Sequence, residues 1–349
     1  MQKAIAYTAY GGPEVTQIID VEIPTPAADE VLIKTAGGGL NPIDYRTRNG
    51  DVALLMPQTL PLIAGNELSG EVTALGEGVT NFAVGDNVIV RTGKGTEARG
   101  TLAQFVALPA RIVAKAPTGI PLTEAAGIPL AGLTALQVLD YLDVKAGDNV
   151  LITAGAGGVG LFAIQLAKVR GAHVTTTAST AGEELVRSVG ADRVIDYKTT
   201  KLADIGTKFD KVFDCAGGDM VDVIAATADN GSLATIAGVP VPSMLAAFEL
   251  PFWKSYLVSG VLWLKSRQVR NLTYERNIKY EFFWMRPDGA DLQKLSDLVT
   301  EGKLRVIIDS SYKFDDFAQA FARLESKRSK GKVVIEFPPV ATPSATGPA

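Results

Sequence analysis

The sequence predicts an α/β fold with a doubly wound parallel sheet, preceded by a smaller, barrel-like β domain. Three observations carry this. Strand-like and helix-like segments alternate from Asn149 to residue 285, a pattern that implies a parallel sheet covered on both faces. The first third is made instead of short strand-like runs punctuated by glycine. Where the alternation begins, an apolar run enters the Gly-rich turn Gly155-Ala156-Gly157-Gly158-Val159-Gly160, which opens a helix.

The β-rich part holds candidate strands at 3–8, 30–36, 68–75 and 87–90. Turns are expected at Gly11-Gly12-Pro13, Gly76-Glu77-Gly78 and Gly85-Asp86. Near Pro121 the texture becomes helix-prone, with Thr123 as the expected N-cap of a first segment and a helix over 130–141. The alternating part predicts strands near 150–153, 172–177, 193–195, 209–214, 232–237 and 280–285. After Pro287 come a helix (291–300), a strand (306–308), a helix (315–324) and a last strand (332–337), which return to the first domain. The tail from Pro338, rich in Pro, Ala, Thr and Ser, is expected to fray.

A length of 349 residues implies about two domains. A net charge of −4 gives no general attraction to nucleic acid or to an anionic membrane. The single cysteine, Cys215, excludes an internal disulfide and implies a reducing compartment. A strand that starts almost at once, with no signal-peptide pattern before it, implies a cytoplasmic protein. The apolar stretch 245–264 is interrupted by Glu249, Pro251 and Lys254, so no membrane span is expected there.

The glycine spacing is G-x-G-x-x-G (Gly155, Gly157, Gly160), inside one strand–turn–helix–strand unit. That combination lets a dinucleotide pyrophosphate approach backbone N–H groups at a helix N-terminus. NAD-binding sites of this kind carry an acid about 20 residues beyond the glycines, on the ribose 2′-OH. Here the second strand runs out through Thr177-Ala178-Ser179-Thr180, with no acid before Glu183 and Glu184. The reading is therefore NADP, with Ser179 and Thr180 as donors to the 2′-phosphate or, more simply, as caps of the next helix.

The order of features resembles the medium-chain dehydrogenase/reductase superfamily. Within it, the chain resembles the zinc-free branch of zeta-crystallin-like quinone and enone reductases. The matching stretches are 39–46 (Gly-Leu-Asn-Pro-Ile-Asp-Tyr-Arg), 65–72 (Gly-Asn-Glu-Leu-Ser-Gly-Glu-Val), 85–88, 129–135, the Gly-rich turn, 190–192 and 214–218. The resemblance implies a GroES-like catalytic domain (1–125), a Rossmann cofactor domain (126–287) and a return to the first domain (288–349), with the active site in the cleft between them. It implies Asn41 beside the nicotinamide ribose, with Arg46 and Thr134 near the cofactor. Gly158 and Val159 would donate N–H groups to the pyrophosphate. Ser179, Thr180 and Tyr197 would surround the 2′-phosphate, and Ala237 and Gly238 the carboxamide. It also implies a homodimer. A Lys that relatives often carry past the serine is replaced by Gly182-Glu183-Glu184, which weakens the NADP reading without reversing it.

Zinc sites need three or four Cys, His or carboxylate ligands. The chain has one His and one Cys, both expected in the cofactor domain, and Asn66 stands where zinc-dependent relatives carry His, so no metal is expected. Without a Lewis acid the chemistry fits hydride transfer to an acceptor that is already electrophilic, a quinone or an α,β-unsaturated carbonyl. No group stands out as the proton donor. Asn41 and Tyr45 are the catalytic candidates, and a packing role for Tyr45 is equally open. Asp44 reads as a helix cap rather than a partner of Arg46 or Arg48, and Glu67 as a buried structural carboxylate. The aromatic segment 240–279 either walls the substrate cleft or packs as a helical pair on its own domain. An enoyl-thioester reductase and a non-catalytic, crystallin-like NADPH-binding protein remain alternatives.

Overall fold

The computed structural model describes residues 1–93, 99–248 and 250–341. The expected frayed end from 342 onward and Glu249 lie outside the described residues. The chain divides into two units. One holds the described residues of Met1–Leu133, Arg286–Gly302 and Val306–Ala349; the other holds Thr134–Met285 and Lys303–Arg305.

The first unit begins with β1 (Gln2–Tyr7), β2 (Thr16–Val21) and β3 (Glu30–Leu40). β3 runs past the predicted end through Gly37, Gly38 and Gly39. A Cβ at Gly39 would lie 2.4 Å from both Glu67 Oε1 and the Ala126 carbonyl, so only glycine lets the strand pass there. Helix α1 (Pro42–Asn49) follows, started by Pro42 and stopped by Gly50 at φ +84°. Next come β4 (Leu62–Ile63), β5 (Glu67–Leu75), β6 (Asn87–Arg91), β7 (Phe105–Pro109), β8 (Val113–Lys115) and α2 (Leu122–Ala125). Thr123 is not the N-cap of α2; that position is Pro121, and Thr123 lies inside the helix. Helix α3 (Pro129–Tyr141) contains the boundary between the units.

The second unit holds β9 (Asn149–Ile152), α4 (Gly158–Val169), β10 (His173–Ala178), α5 (Thr180–Ser188), β11 (Arg193–Asp196) and β12 (Phe209–Asp214). It continues with α6 (Met220–Ala226), β13 (Thr227–Thr235), α7 (Phe252–Lys265), α8 (Arg267–Glu275) and β14 (Lys279–Phe282). Its sheet is parallel throughout, in the order β11-β10-β9-β12-β13-β14. The strand order reverses between β9 and β12, and in such sheets ligands bind where the C-terminal strand ends diverge. One face of the sheet packs on a core around Leu151, Phe209, Val212, Ile224 and Leu233.

The chain then returns to the first unit as α9 (Gly289–Thr300), β15 (Ile308–Lys313), α10 (Phe317–Glu325) and β16 (Lys332–Glu336). β15 shares only Ile308 with the predicted 306–308 and runs on to Lys313. Its pairing with β16 carries polar Ser310 and Ser311 into the strand, which an apolar run cannot signal. The larger sheet runs β15-β16-β3-β5-β6-β8, with β7 also on β3, and a smaller sheet runs β2-β1-β4. β16 pairs antiparallel with the glycine end of β3, which brings Lys332 to the site described next.

Candidate functional site

In the second unit the turn after β9 is tightly determined. Ala154 takes φ +51°, a conformation L-residues rarely adopt, and its N–H donates to Thr177 Oγ1 at 2.9 Å. Gly155 N–H donates to the Thr177 carbonyl at 2.9 Å. A Cβ at Gly155 would lie 2.0 Å from Thr176 Oγ1, and one at Gly160 would lie 2.4 Å from the Ala154 carbonyl. Gly157 is the N-cap of α4, and a Cβ there would meet only the Ala154 carbonyl, at 3.3 Å. Two glycines thus let strand and helix pack closely, and the third leaves the turn open on its outer side. Gly158 and Val159 form the first turn of α4, whose N–H groups have no intrahelical acceptor. The geometry suits a pyrophosphate.

The end of β10 differs from the expectation. Ser179 is the N-cap of α5 but makes no side-chain cap bond. Thr180 Oγ1 and N–H donate to Asp196 Oδ2 at 2.7 and 3.1 Å, and Lys198 N–H donates to Asp196 Oδ1 at 2.9 Å. The backbone bond from Lys198 and the hydroxyl of Thr180 hold the Asp196 carboxyl below the usual carboxylate range. An acid does stand beside this strand end, delivered by β11, and Thr180's hydroxyl is already given to it. That corrects the acid-free reading. Glu183 is turned to Arg187 at 2.8 Å, and Tyr197 is exposed beside Asp196.

At the point where strand order reverses, Asp214 organises the loops, a role the sequence did not reveal. It is fully buried and accepts Thr153 Oγ1 at 2.6 Å and Thr235 Oγ1 at 2.7 Å. Thr153 Oγ1 in turn accepts the N–H groups of Cys215 and Ala216, and Thr235 Oγ1 those of Ala237 and Gly238. Three strand ends are thereby fixed around one carboxylate. Burial and the Asp214 charge push the Cys215 thiol well above its ordinary value, so it is protonated and unsuited to act as a nucleophile. Thr134 is buried in α3.

The first unit holds Asn41, Tyr45 and Arg46 at the start of α1. Asn41 is buried, and its N–H donates to Asp44 Oδ2 at 2.7 Å, so Asp44 caps the helix as expected. Arg48 is not its partner but forms a two-pronged ion pair with Glu325. Asn41 Nδ2 donates to Glu67 Oε1 at 2.6 Å. Lys332 Nζ donates to Glu67 Oε1 at 2.8 Å, Asn41 Oδ1 at 2.5 Å and the Leu40 carbonyl at 3.0 Å. Glu67 Oε2 accepts Leu130 N–H. Asp44 Oδ1 accepts Asn66 Nδ2, and burial is the main reason the Asp44 carboxyl rises to about 6. Arg91 faces Glu67 in the antiparallel register, on the same side of the sheet. It is buried, and among the described residues its Nε and Nη1 have no hydrogen-bond partner. Burial lowers its pKa to about 10, so it is still a cation at neutral pH. Tyr45 packs its ring against the core around Phe314, Phe321 and Ile335, and Arg46 is exposed. Lys332 and Arg91 are the members the sequence reading missed. A lysine in an apolar last strand and an arginine at a strand end give no local signal of a site.

A doubly wound parallel sheet with a glycine turn at its switch point, in one chain with a β domain, is an architecture that nucleotide-dependent oxidoreductases use. Residues 27–118 match the family "Alcohol dehydrogenase GroES-like domain", and residues 189–335 match "Zinc-binding dehydrogenase". The chain is 34% identical over 351 residues to an Arabidopsis thaliana chloroplast envelope quinone oxidoreductase homolog, covering 96% of this chain and 98% of that one. It is 32% identical to the NADPH-dependent alkenal/one oxidoreductase of the same plant, covering 95% and 79%. The structure of the quinone oxidoreductase from Coxiella burnetii superimposes with a TM-score of 0.82 at 32% identity, covering 96% and 99%. The chain belongs to the medium-chain dehydrogenase/reductase superfamily, with the quinone oxidoreductases. Among the described residues no group of three His, Cys, Asp or Glu could hold a metal ion, and no helix is long and apolar enough to cross a membrane.

Proposed function

We propose that the protein is an NADPH-dependent, zinc-independent reductase that delivers hydride to a quinone or an α,β-unsaturated carbonyl. The observation that carries this is the Gly155–Gly160 turn, closed on its inner side and open at the N-terminus of α4, where strand order reverses. The names of the relatives, quinone oxidoreductase and NADPH-dependent alkenal/one oxidoreductase, support the acceptor class and the cofactor. A bound NADPH supplies the hydride. Gly158 and Val159 N–H groups hold the pyrophosphate. The Ser179 hydroxyl and Tyr197 hold the 2′-phosphate, beside a Thr180 already committed to Asp196. Thr134, Arg46, Ala237 and Gly238 complete the cofactor contacts.

Asn41 keeps one Nδ2 proton beyond the one given to Glu67, and that proton orients the nicotinamide ribose. Arg91 is a buried cation that faces Glu67 across the β5–β6 register. Tyr45 is the candidate proton donor. Glu67 is already neutralised by the Lys332 ammonium, which leaves it no attraction to spare for a metal ion. The cytoplasmic setting and homodimer stay part of this reading, although relatives carry chloroplastic and mitochondrial names.

The test is loss of nicotinamide absorbance with a quinone, a short enone and a crotonyl thioester, each with NADPH and NADH. Fast turnover of quinone or enone with NADPH is expected. Tight NADPH binding with no turnover of any acceptor would leave only a binding protein, and a preference for the thioester would make it an enoyl-thioester reductase. Tyr45→Phe lowers kcat only if the hydroxyl gives the proton.

A further inference from the structure

Helix α7 is built inside out. An ordinary surface helix turns its apolar stripe to the core and its polar face to water. On α7 the outward positions are Phe252, Trp253, Tyr256, Leu257, Val261, Trp263 and Leu264, each at least 51% exposed. Their spacing places them on one continuous face of the helix. The opposite, partly covered face carries Ser255 and Ser259 beside Val258 and Leu262, and no residue of α7 is buried. It rests on the short turn at 242–247 and on the start of α8, while α8 packs down on α6. Burying α7 on its own unit is therefore not what its apolar residues serve.

The charge around this face is one-sided. From Leu250 to Tyr274 there is no Asp or Glu, and Lys254, Lys265, Arg267 and Arg270 are all cations. Lys254 and Lys265 edge the stripe, and the Arg270 guanidinium lies 4.5 Å from the Trp263 ring centroid. The chain's net charge of −4 thus hides a run between Glu249 and Glu275 that carries four cations and no acid, beside an exposed aromatic stripe.

We propose that α7 docks the protein on an anionic lipid bilayer, lying in the headgroup region with its apolar face inward. A 14-residue helix is about 21 Å long, too short for a hydrocarbon core of about 30 Å, so it lies in the surface rather than crossing it. Aromatic and aliphatic residues on one face, with lysine and arginine at the edges, are the composition of such interfacial helices. A second copy of the chain fits less well. An isologous contact through this face sets the lysines at its edge against their own copies, whereas an anionic surface answers both the stripe and the charge. This docking is independent of which acceptor the enzyme reduces.

The experiment is co-sedimentation of the full chain with vesicles of phosphatidylcholine, with and without phosphatidylserine. Binding about tenfold stronger or more to the anionic vesicles is expected, lost at high salt, with a blue shift of tryptophan emission. Trp253→Ser/Leu257→Ser/Leu264→Ser should abolish binding. Lys254→Glu/Lys265→Glu/Arg267→Glu should remove the anionic preference. No position altered in either variant is buried, and both variants should keep the circular dichroism and NADPH turnover of the parent. Failure to bind anionic vesicles, or equal binding to both kinds, overturns the proposal. So does self-association that the serine variant abolishes while no vesicle is bound, because α7 would then cover a second copy.

Discussion

The ion pair between Lys332 and Glu67 gives the sharpest quantitative expectation. Both side chains are at most 3% exposed, and their charged atoms are 2.8 Å apart. Lys332→Met removes three donors at once, from the Leu40 carbonyl, Asn41 Oδ1 and Glu67 Oε1. Glu67 keeps the bonds from Asn41 Nδ2 and Leu130 N–H but loses its hydrogen-bonded counter-ion, and only the Arg91 guanidinium across the β5–β6 register still faces it. Breaking such a pair from one side costs about 3–5 kcal/mol. For a unit of this size that lowers Tm by about 6–20 °C. In Lys332→Met/Glu67→Gln the Glu67 charge is gone, and the new amide can still accept Leu130 N–H and donate to Asn41 Oδ1. The double variant should recover at least about 2 kcal/mol of the loss. All three tryptophans, 253, 263 and 284, lie in the other unit, so fluorescence does not report on this change. Urea unfolding followed by far-ultraviolet circular dichroism, with hydrogen exchange on β3, β5 and β16, does. A single variant that loses less than about 1 kcal/mol, or a double variant that loses more than the single, would refute the role of the pair.

Other expectations follow from single atoms. Gly157→Ala should keep stability within about 1 kcal/mol, because its Cβ meets one carbonyl at 3.3 Å, yet raise the KM for NADPH about tenfold. Gly160→Ala, with its Cβ 2.4 Å from the Ala154 carbonyl, should cost about 1–3 kcal/mol or more by thermal unfolding. Asp44, raised from 3.8 to about 6, is bound to its proton more tightly when folded than unfolded. Its contribution is full below pH 3.8 and is lost as the pH rises to about 6, a change of about 3 kcal/mol. Asp44→Asn should remove that slope from a stability–pH profile between pH 4 and 6, and a profile that keeps it would assign the slope to another group. Asp196→Asn should raise the NADPH-over-NADH preference in kcat/KM about two- to fivefold, by removing a carboxylate near the 2′-phosphate.

Features set by neighbours in the chain were legible in advance. Asp44 caps α1, and the glycines at 155–160 form the turn their spacing requires. Each is a demand on local backbone geometry, and a sequence carries local demands openly. The buried cluster was only half legible. Asn41 and Glu67 stand in motifs, but their partner Lys332 comes from the last strand, 291 and 265 residues away. Its position follows from the pairing of β16 with the glycine end of β3, and no window of sequence contains both. Arg91 is the same case across the β5–β6 register.

The cofactor preference shows why distance along the chain misleads in a parallel sheet. A search about 20 residues past the glycines inspects the end of β10 and finds no acid there. In the sheet, Ala178 at the end of β10 is in register with Asp196 at the end of β11. One strand and one helix later in sequence, Asp196 is therefore adjacent in space to Ser179 and Thr180. It takes both donors of Thr180 before any ligand can. An acid beside a 2′-phosphate opposes it, whereas an acid beside a 2′-hydroxyl can accept from it. The same carboxylate thus penalises NADPH and leaves NADH a partner. Preference for NADPH then depends on the open Ser179 hydroxyl and the N-terminal turn of α5 outweighing one well-hydrated charge. Exposed charges of this kind act weakly and are screened by salt. Raising the ionic strength should therefore move the NADPH/NADH ratio of the parent toward that of Asp196→Asn, and a ratio insensitive to salt would mean that Asp196 does not face the phosphate.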